Sequence, residues 1–483
     1  MAYLGVDLGT SGVKVLAIGA DQRPIAQAHA ALEVARPHPG WSEQEPASWI
    51  EATREALAAL AREIDMAQVR GIGLAGQMHG AVALDSADDC LRPAILWNDT
   101  RSAAQAARLD ADPAFREITG NIVFPGFTAP KLAWMAEEEP ERFERLSKVL
   151  LPKDYLRLWL TGEHLSDMSD AAGTAWLDVA ARDWSDALLA ATGLSRLQMP
   201  GLVEGSAVAG HLRRSIAEAF GLPPGIPVAG GGGDNAASAC GVGALGNGGA
   251  FASLGTSGVL FASTGAYRPN AASAVHTFCH AVPGTWHQMG VILSATDSLN
   301  WLARIAGCAA ADLAAEIEGE PAAPGPELFL PYLGGERTPH NDAAIRGQLL
   351  NVSHRSDRAA LTRAVMDGVS FAFRDCLEAL RAAGTELSRV TALGGGSASA
   401  WWLGSLANAL DVAVDIPEDG DFGAAFGAAR LGLCAAEGAE PGAVCTPPPV
   451  ARTIEPAPSL RAAYDEAHGR YRAAYPALKE ALQ

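Results

Sequence analysis

Leu8-Gly9-Thr10-Ser11-Gly12-Val13 recurs letter for letter as Leu254-Gly255-Thr256-Ser257-Gly258-Val259. In both places the hexamer joins two strand-like runs, so it reads as a glycine-rich hairpin, and Asp21-Gln22-Arg23-Pro24 supplies the next turn of the first copy. Two matching hairpins in matching contexts point to a chain built of duplicated halves. Working outward, short β-type runs at Val13–Ile18, Gly71–Ala75 and Ala94–Trp97 alternate with longer segments of helical period, which gives an α/β fold class. In Trp49–Ile64 the apolar positions Trp49, Ala56, Leu57, Leu60 and Ile64 follow a 3.6-residue spacing, with Pro46 and Ser48 as start signals, so a helix is predicted there.

A length of 483 residues exceeds what one hydrophobic core fills, so two domains are expected. The net charge of −19 disfavours nucleic acid and anionic membrane surfaces, both of which reward basic patches. The seven cysteines, Cys90, Cys240, Cys279, Cys308, Cys376, Cys434 and Cys445, are scattered and show no C-x-x-C pair, arguing against a disulfide framework or a zinc site. Without a signal-like or membrane-spanning stretch, the cytoplasm is the expected location.

Small residues at the two hairpins let backbone approach a polyanion, and their N–H groups together with the hydroxyls of Thr10, Ser11, Thr256 and Ser257 can donate to phosphate oxygens. Gly255 belongs to the same turn. Lys14 has the right sign to meet phosphate, although a solvated strand lysine fits the same position. Asp7, in the apolar run Tyr3–Leu8, is an acceptor suited to a magnesium ion or its waters, because an unpaired buried carboxylate is costly otherwise. The P-loop pattern is absent, since no lysine follows a glycine. Gly241-Val-Gly243-Ala-Leu-Gly246 matches G-x-G-x-x-G but follows a helix-like run, and is read as a linker-like cluster. In Val228-Ala-Gly-Gly-Gly-Gly-Asp234-Asn235 a strand ends in four glycines before an acid and an amide. That places Asp234 where α/β sheets hold their ligands. An N-cap role before Ala-Ala-Ser is the alternative for this residue.

Taken together, Asp7-Leu-Gly-Thr-Ser-Gly-Val-Lys14, the Gly-Gly-Asp234-Asn235 step and the second Gly-Thr-Ser resemble the FGGY family of carbohydrate kinases, nearly end to end. One family signature appears as Gly126-Phe-Thr128-Ala-Pro-Lys131-Leu-Ala-Trp134; a second, from Gly347 to Val352 and Leu361 to Asp367, departs from the pattern at Asn351 and Ala360. Gly76-Gln77-Met78-His79-Gly80, Trp97-Asn98-Asp99-Thr100-Arg101 and His276–Gly290 look like family members acting on xylulose rather than on glycerol.

The resemblance implies an actin-like (ribonuclease H-like) architecture: domains over 1–246 and 247–437 with ATP and sugar in the cleft between them, then a Pro-rich linker and C-terminal helix over 438–483. It implies phosphorylation of D-xylulose at its 5-hydroxyl, with ATP and Mg²⁺ bound. Asp234 would be the general base, with Asp7 also catalytic and both near the metal. Gln77, Met78, His79, Trp97, Asp234 and Asn235 would meet the sugar, although His79 read alone fits a structural histidine at a strand end. The nucleotide would meet Thr10, Ser11, Lys14, Gly255, Thr256, Ser257, Gly395, Gly396 and Ser399. Gly404 stands where the family has glutamine, which points to a missing adenine-side contact. Trp41–Pro46 resembles the family's lid-side loop. A homodimer, another ketopentose or polyol as acceptor, and a non-catalytic ATP-binding sugar sensor are the further options the family leaves. Pro441–Ser459, with Pro447-Pro448-Pro449, reads as non-helical, and Leu460–Leu482 as a helix docked on a domain surface.

Overall fold

The computed structural model describes residues 1–317, 319–418 and 422–482. Two seven-stranded sheets carry it. In the first, the central strand Ala2–Leu8 pairs antiparallel with Gly12–Gly19 and parallel with Val69–Gly76; Pro24–Ala31 lies outside Gly12–Gly19, and Pro227–Ala229 runs parallel to Val69–Gly76. In the second, Ala250–Leu254 pairs antiparallel with Gly258–Thr264 and parallel with Arg389–Leu393; Trp286–Ile292 and Ala413–Pro417 take the two flanking places. The order and the sense of pairing match place for place, so the repeated hexamer does mark a duplicated unit with the actin-like topology. The two turns nevertheless close differently. Leu8 pairs with Val13 across the first, whereas Leu254 pairs with Gly258 across the second.

The strands form where apolar residues face helices on both sides, the pattern of a sheet buried on two faces. Val6, Leu8, Val13, Val15, Ile72 and Leu74 pack in one core with Trp49, Ala56, Leu57 and Leu60 of the helix Pro46–Leu60. That helix stops four residues short of the predicted Ile64. Arg62 N–H reaches the carbonyl of Ala59, a tightened last turn, and Asp65 then caps the three-residue helix Met66–Gln68.

Helix Ala424–Glu437 comes from the second half of the chain but packs on the first sheet. Carbonyls of Ala425 and Ala428 sit where a Cβ on Gly5 or Gly73 would be, at 1.8 Å, and Gly427 meets Ala237 of the helix Asp234–Val242 just as closely at 1.7 Å. Glycines at these points let two helices and a sheet touch backbone to backbone.

Two expectations change. Gly241 lies within the helix Asp234–Val242, against the carbonyl of Phe422, rather than in a linker. Pro441–Ser459 contains a one-turn helix, Pro441–Val444, with proline at its permissive first position, and an edge strand, Val450–Ile454, antiparallel to Ala413–Pro417. The last helix, Arg461–Leu482, docks on the second domain as expected, with most of its residues facing outward and Tyr464, Ala467 and Tyr471 set into that domain's core. All seven cysteines are free thiols. No described helix is long and apolar enough to cross a membrane.

Candidate active site

Three strand ends build the site. Ala2–Leu8 delivers Asp7 and the first hairpin, Val69–Gly76 leads into Gln77, Met78 and His79, and the two-residue strand Gly232–Gly233 delivers Asp234. Val69–Gly76 lies between the other two: Ala75 is level with both Asp7 and Gly232, and Gly76 with both Leu8 and Gly233. Their carboxyl ends therefore open to one edge of the sheet, the edge at which α/β sheets bind ligands.

Asp234 opens the helix Asp234–Val242, so its charge faces the positive end of the helix dipole. Its Oδ1 accepts from the backbone N–H of Asn235 at 2.7 Å and from Asn235 Nδ2 at 2.9 Å, while Oδ2 has no hydrogen bond among the described residues. Burial outweighs these two donors and raises the carboxyl's pKa. Asp7 is pushed up to about 7, first by burial and then by the charge of Asp234, against the opposing pull of Lys14. Its Oδ1 is buried without a hydrogen-bond partner. Lys14, opposite Asp7 in the hairpin register, is itself lowered by burial, with Asp7 opposing.

His79 adopts a left-handed backbone, φ 69°, which its carbonyl's partners hold: Lys131 Nζ donates at 2.8 Å and Thr128 Oγ1 at 3.1 Å. Both donors come from the Gly126–Trp134 signature, whose role in the structure is thereby visible. The ring stacks on Phe127 at 4.7 Å, and Nδ1 lies 2.7 Å from the carbonyl oxygen of Gly173. A carbonyl can only accept, so Nδ1 carries the proton and Nε2 is left as an acceptor for a hydroxyl. Burial, together with nearby Lys131 and Arg337, drives this imidazole down to about 3, so it is neutral at physiological pH. Met78 is buried beside it, and a Cβ on Gly233 would fall 2.8 Å from its sulfur.

Thr10 is tied to these side chains rather than left open. Its hydroxyl donates to Gln77 Oε1 at 2.9 Å and accepts from Trp97 Nε1 at 3.0 Å, and its carbonyl accepts from Gln44 Nε2 at 2.8 Å. Gln44 thus brings the Trp41–Pro46 loop to the edge of the site, a contact the sequence did not announce. Trp97 keeps 46% of its surface exposed although its N–H is satisfied, leaving a ring face free to cover a ligand. Ser11 is exposed at the turn.

In the second domain Gly395, Gly396 and Ser399 line one cleft of about 610 Å³ with Thr296, Asn300 and Trp401. Thr256 and Ser257 are exposed at their turn, whose carbonyls at Gly255 and Thr256 anchor the start of the helix Thr296–Ala306. The Ser399 hydroxyl accepts from Trp402 N–H at 3.2 Å, capping the helix Ala400–Leu410. Gly404 faces Pro321, whose ring would be 2.6 Å from an added Cβ; the space a longer side chain would need is filled.

Sequence reasoning passed over a fully buried charge cluster. Lys153 Nζ lies 2.5 Å from Asp154, 2.9 Å from Asp167 and 3.4 Å from Asp170, and Arg157 Nη1 lies 2.6 Å from Asp154. The signal available was charge inside an otherwise apolar helix, Lys153-Asp154 and Arg157 among Leu151, Leu156, Leu158 and Leu160.

Residues 2–241 match the model of the FGGY family of carbohydrate kinases, N-terminal domain, and residues 250–436 that of its C-terminal domain. A xylulose kinase of Escherichia coli strain K12 is 49% identical over 437 residues, covering 90% of each chain. A solved xyloylose kinase from Brucella ovis is 62% identical, covers 100% of both chains and superposes with a TM-score of 0.98. The xylulose kinase structure from Rhodospirillum rubrum, 28% identical, covers 99% of both with a TM-score of 0.91.

Proposed function

The chain belongs to the FGGY family of carbohydrate kinases, and from that membership we propose that it phosphorylates D-xylulose at the 5-hydroxyl, giving D-xylulose 5-phosphate and ADP. The observation that carries this reading is the convergence of Asp7, Gln77–His79 and Asp234 on one sheet edge.

Neutral His79 accepts a sugar hydroxyl at Nε2, Gln77 and Asn235 supply further polar contacts, and Met78 and Trp97 form apolar walls. Asp234 uses its unbonded Oδ2 to accept the proton of the 5-hydroxyl. As that proton leaves, the sugar oxygen bonds to the γ-phosphorus of ATP, the bond from that phosphorus to the β–γ bridging oxygen breaks, and ADP departs with the electron pair. A base whose pKa is raised by burial is matched to this task. In phosphoryl transfer most of the rate comes from positioning and charge stabilisation, which the hairpin N–H groups and the hydroxyls of Ser11, Thr256 and Ser257 provide with Lys14. The nucleotide's phosphates lie against Thr10, Ser11, Gly255, Thr256 and Ser257, and its adenosine in the cleft of Gly395, Gly396 and Ser399.

The orphaned Oδ1 of Asp7 fits a hard divalent cation. No group of three or more candidate ligands occurs among the described residues, so a cation would take one or two carboxylates here, from Asp7 and Asp234, and its other ligands from phosphates and water. Mg²⁺ held there would supply positive charge to neutralise the phosphates.

ADP release measured with ATP and Mg²⁺ across D-xylulose, L-xylulose, D-ribulose, L-ribulose and glycerol tests the reading. Strong preference for D-xylulose is expected; turnover of another acceptor would overturn the substrate, and no sugar-stimulated turnover would overturn the activity.

A further inference from the structure

Four glycines in succession, Gly230–Gly233, give the strand that delivers Asp234 no side chains with which to pack. Glycine is also the residue with most backbone freedom to lose. Something else must fix the direction in which Asp234 leaves the sheet. The structure shows polar pins at both ends of the run. Arg157 Nη2 donates to the carbonyl of Gly230, and the Ser169 hydroxyl accepts from the N–H of Gly233 at 3.1 Å. The direction of the second bond follows from chemistry: Ser169 Oγ lies 2.5 Å from Asp167 Oδ2, its proton goes to that carboxylate, and its lone pair remains for Gly233.

The same short segment holds the sugar-side histidine. Four residues beyond Ser169, the carbonyl of Gly173 receives His79 Nδ1–H at 2.7 Å, and a Cβ on Gly173 would stand 2.5 Å from the imidazole. Between these two joints the chain is one turn of helix, Met168–Ala171, capped by Asp167, followed by the turn Ala172–Thr174. Its base is the buried cluster, with Asp167 Oδ1 at 2.9 Å from Lys153 and Asp170 at 3.4 Å. Three carboxyls face one lysine and one arginine there. Burial raises the pKa of Asp170, with Lys153 opposing and the charges of Asp154 and Asp167 adding to the rise. Buried ion clusters are seldom the cheapest way to stabilise a core, and an apolar core of similar volume often does as well. What this cluster adds is fixed direction.

We propose that Asp167–Gly173 is a positioning bridge, in which the Ser169 hydroxyl sets the strand end bearing Asp234 and the Gly173 carbonyl sets His79, so that base and sugar are held in mutual register. The bridge rests on the functional reading above. Ser169 touches no reacting atom; it acts through Gly233.

Steady-state kinetics of Ser169→Ala and Ser169→Thr, run beside the unaltered enzyme and Asp234→Ala, tests the bridge. Loss of one buried hydrogen bond at this joint is expected to lower kcat about tenfold in Ser169→Ala. KM for ATP and for sugar should stay within about twofold, and Ser169→Thr, which keeps the hydroxyl, should recover most of kcat. A Ser169→Ala enzyme with unaltered kcat would overturn the bridge, as would one whose loss the Thr variant does not recover. If Ser169→Ala does not accumulate folded, Ser169→Cys is compared with Ser169→Thr: a lower kcat in the Cys enzyme is expected, and equality overturns the proposal. Absence of sugar-stimulated turnover in the unaltered enzyme would instead contradict the functional reading, and the bridge with it.

Discussion

Asp7 is the residue whose environment most clearly waits for a ligand: half-buried, with Oδ1 shut away from solvent and unpartnered, and lifted to about 7 by burial and by Asp234. Its folded pKa exceeds the unfolded value of 3.8, so the folded state binds more protons between those limits and stability falls as pH rises from about 4 through about 7. Asp7→Asn removes a charge that exists only at the upper end. In the nucleotide-free protein with chelator present, this variant should have a higher urea midpoint than the unaltered chain at pH 8, with the difference shrinking at pH 5.5. Equal midpoints at pH 8 would contradict the assigned environment. Asp7 and Asp234 were legible in sequence because an acid in an apolar run and an acid after four glycines are each conspicuous. The partners of Thr10 were not: its hydroxyl reads as a phosphate donor, and only the fold brings Gln77 and Trp97 to it. Gly404 likewise reads as a lost contact, whereas its neighbour Pro321 comes from a distant loop.

At the scale of elements, the helix Ala424–Glu437 decides how closely the halves sit. Its fit depends on Gly5 and Gly73 having no side chains, since the carbonyls of Ala425 and Ala428 occupy the Cβ positions. Gly73→Ala should therefore destabilise the protein by about 1–3 kcal/mol, the usual cost of overpacking, or more if the helix cannot shift. Equilibrium denaturation measures this, and an unchanged midpoint would show the contact to be soft. The periodicities that predict strands and helices are local, so the elements were readable while this packing was not. The helix starting at Pro46 shows the same limit at finer grain, because its end is set by a tightened turn at Ala59–Arg62 and not by the apolar spacing that continues to Ile64. Proline likewise misled at Pro441, where it occupies the first helical position and starts a turn of helix.

For the whole molecule, the duplicated hexamer carried the architecture: two sheets of the same order, each with its glycine-rich hairpin beside the central strand. One unit brings Asp7, Gln77–His79 and Asp234 to one sheet edge, the other lines a cleft of about 610 Å³ with Gly395, Gly396 and Ser399. An enzyme divided this way should hydrolyse ATP slowly without sugar, because the base and the phosphate clamps are completed only when both ligands are held between the units. A sugar-independent ATPase rate near the sugar-stimulated one would count against that division of labour. The central claim is that Asp234 takes the proton from the acceptor hydroxyl, and turnover of D-xylulose by Asp234→Ala tests it most directly. A fall in kcat on the order of 10²–10⁴, with ATP binding retained, is the predicted result; near-normal turnover would contradict it.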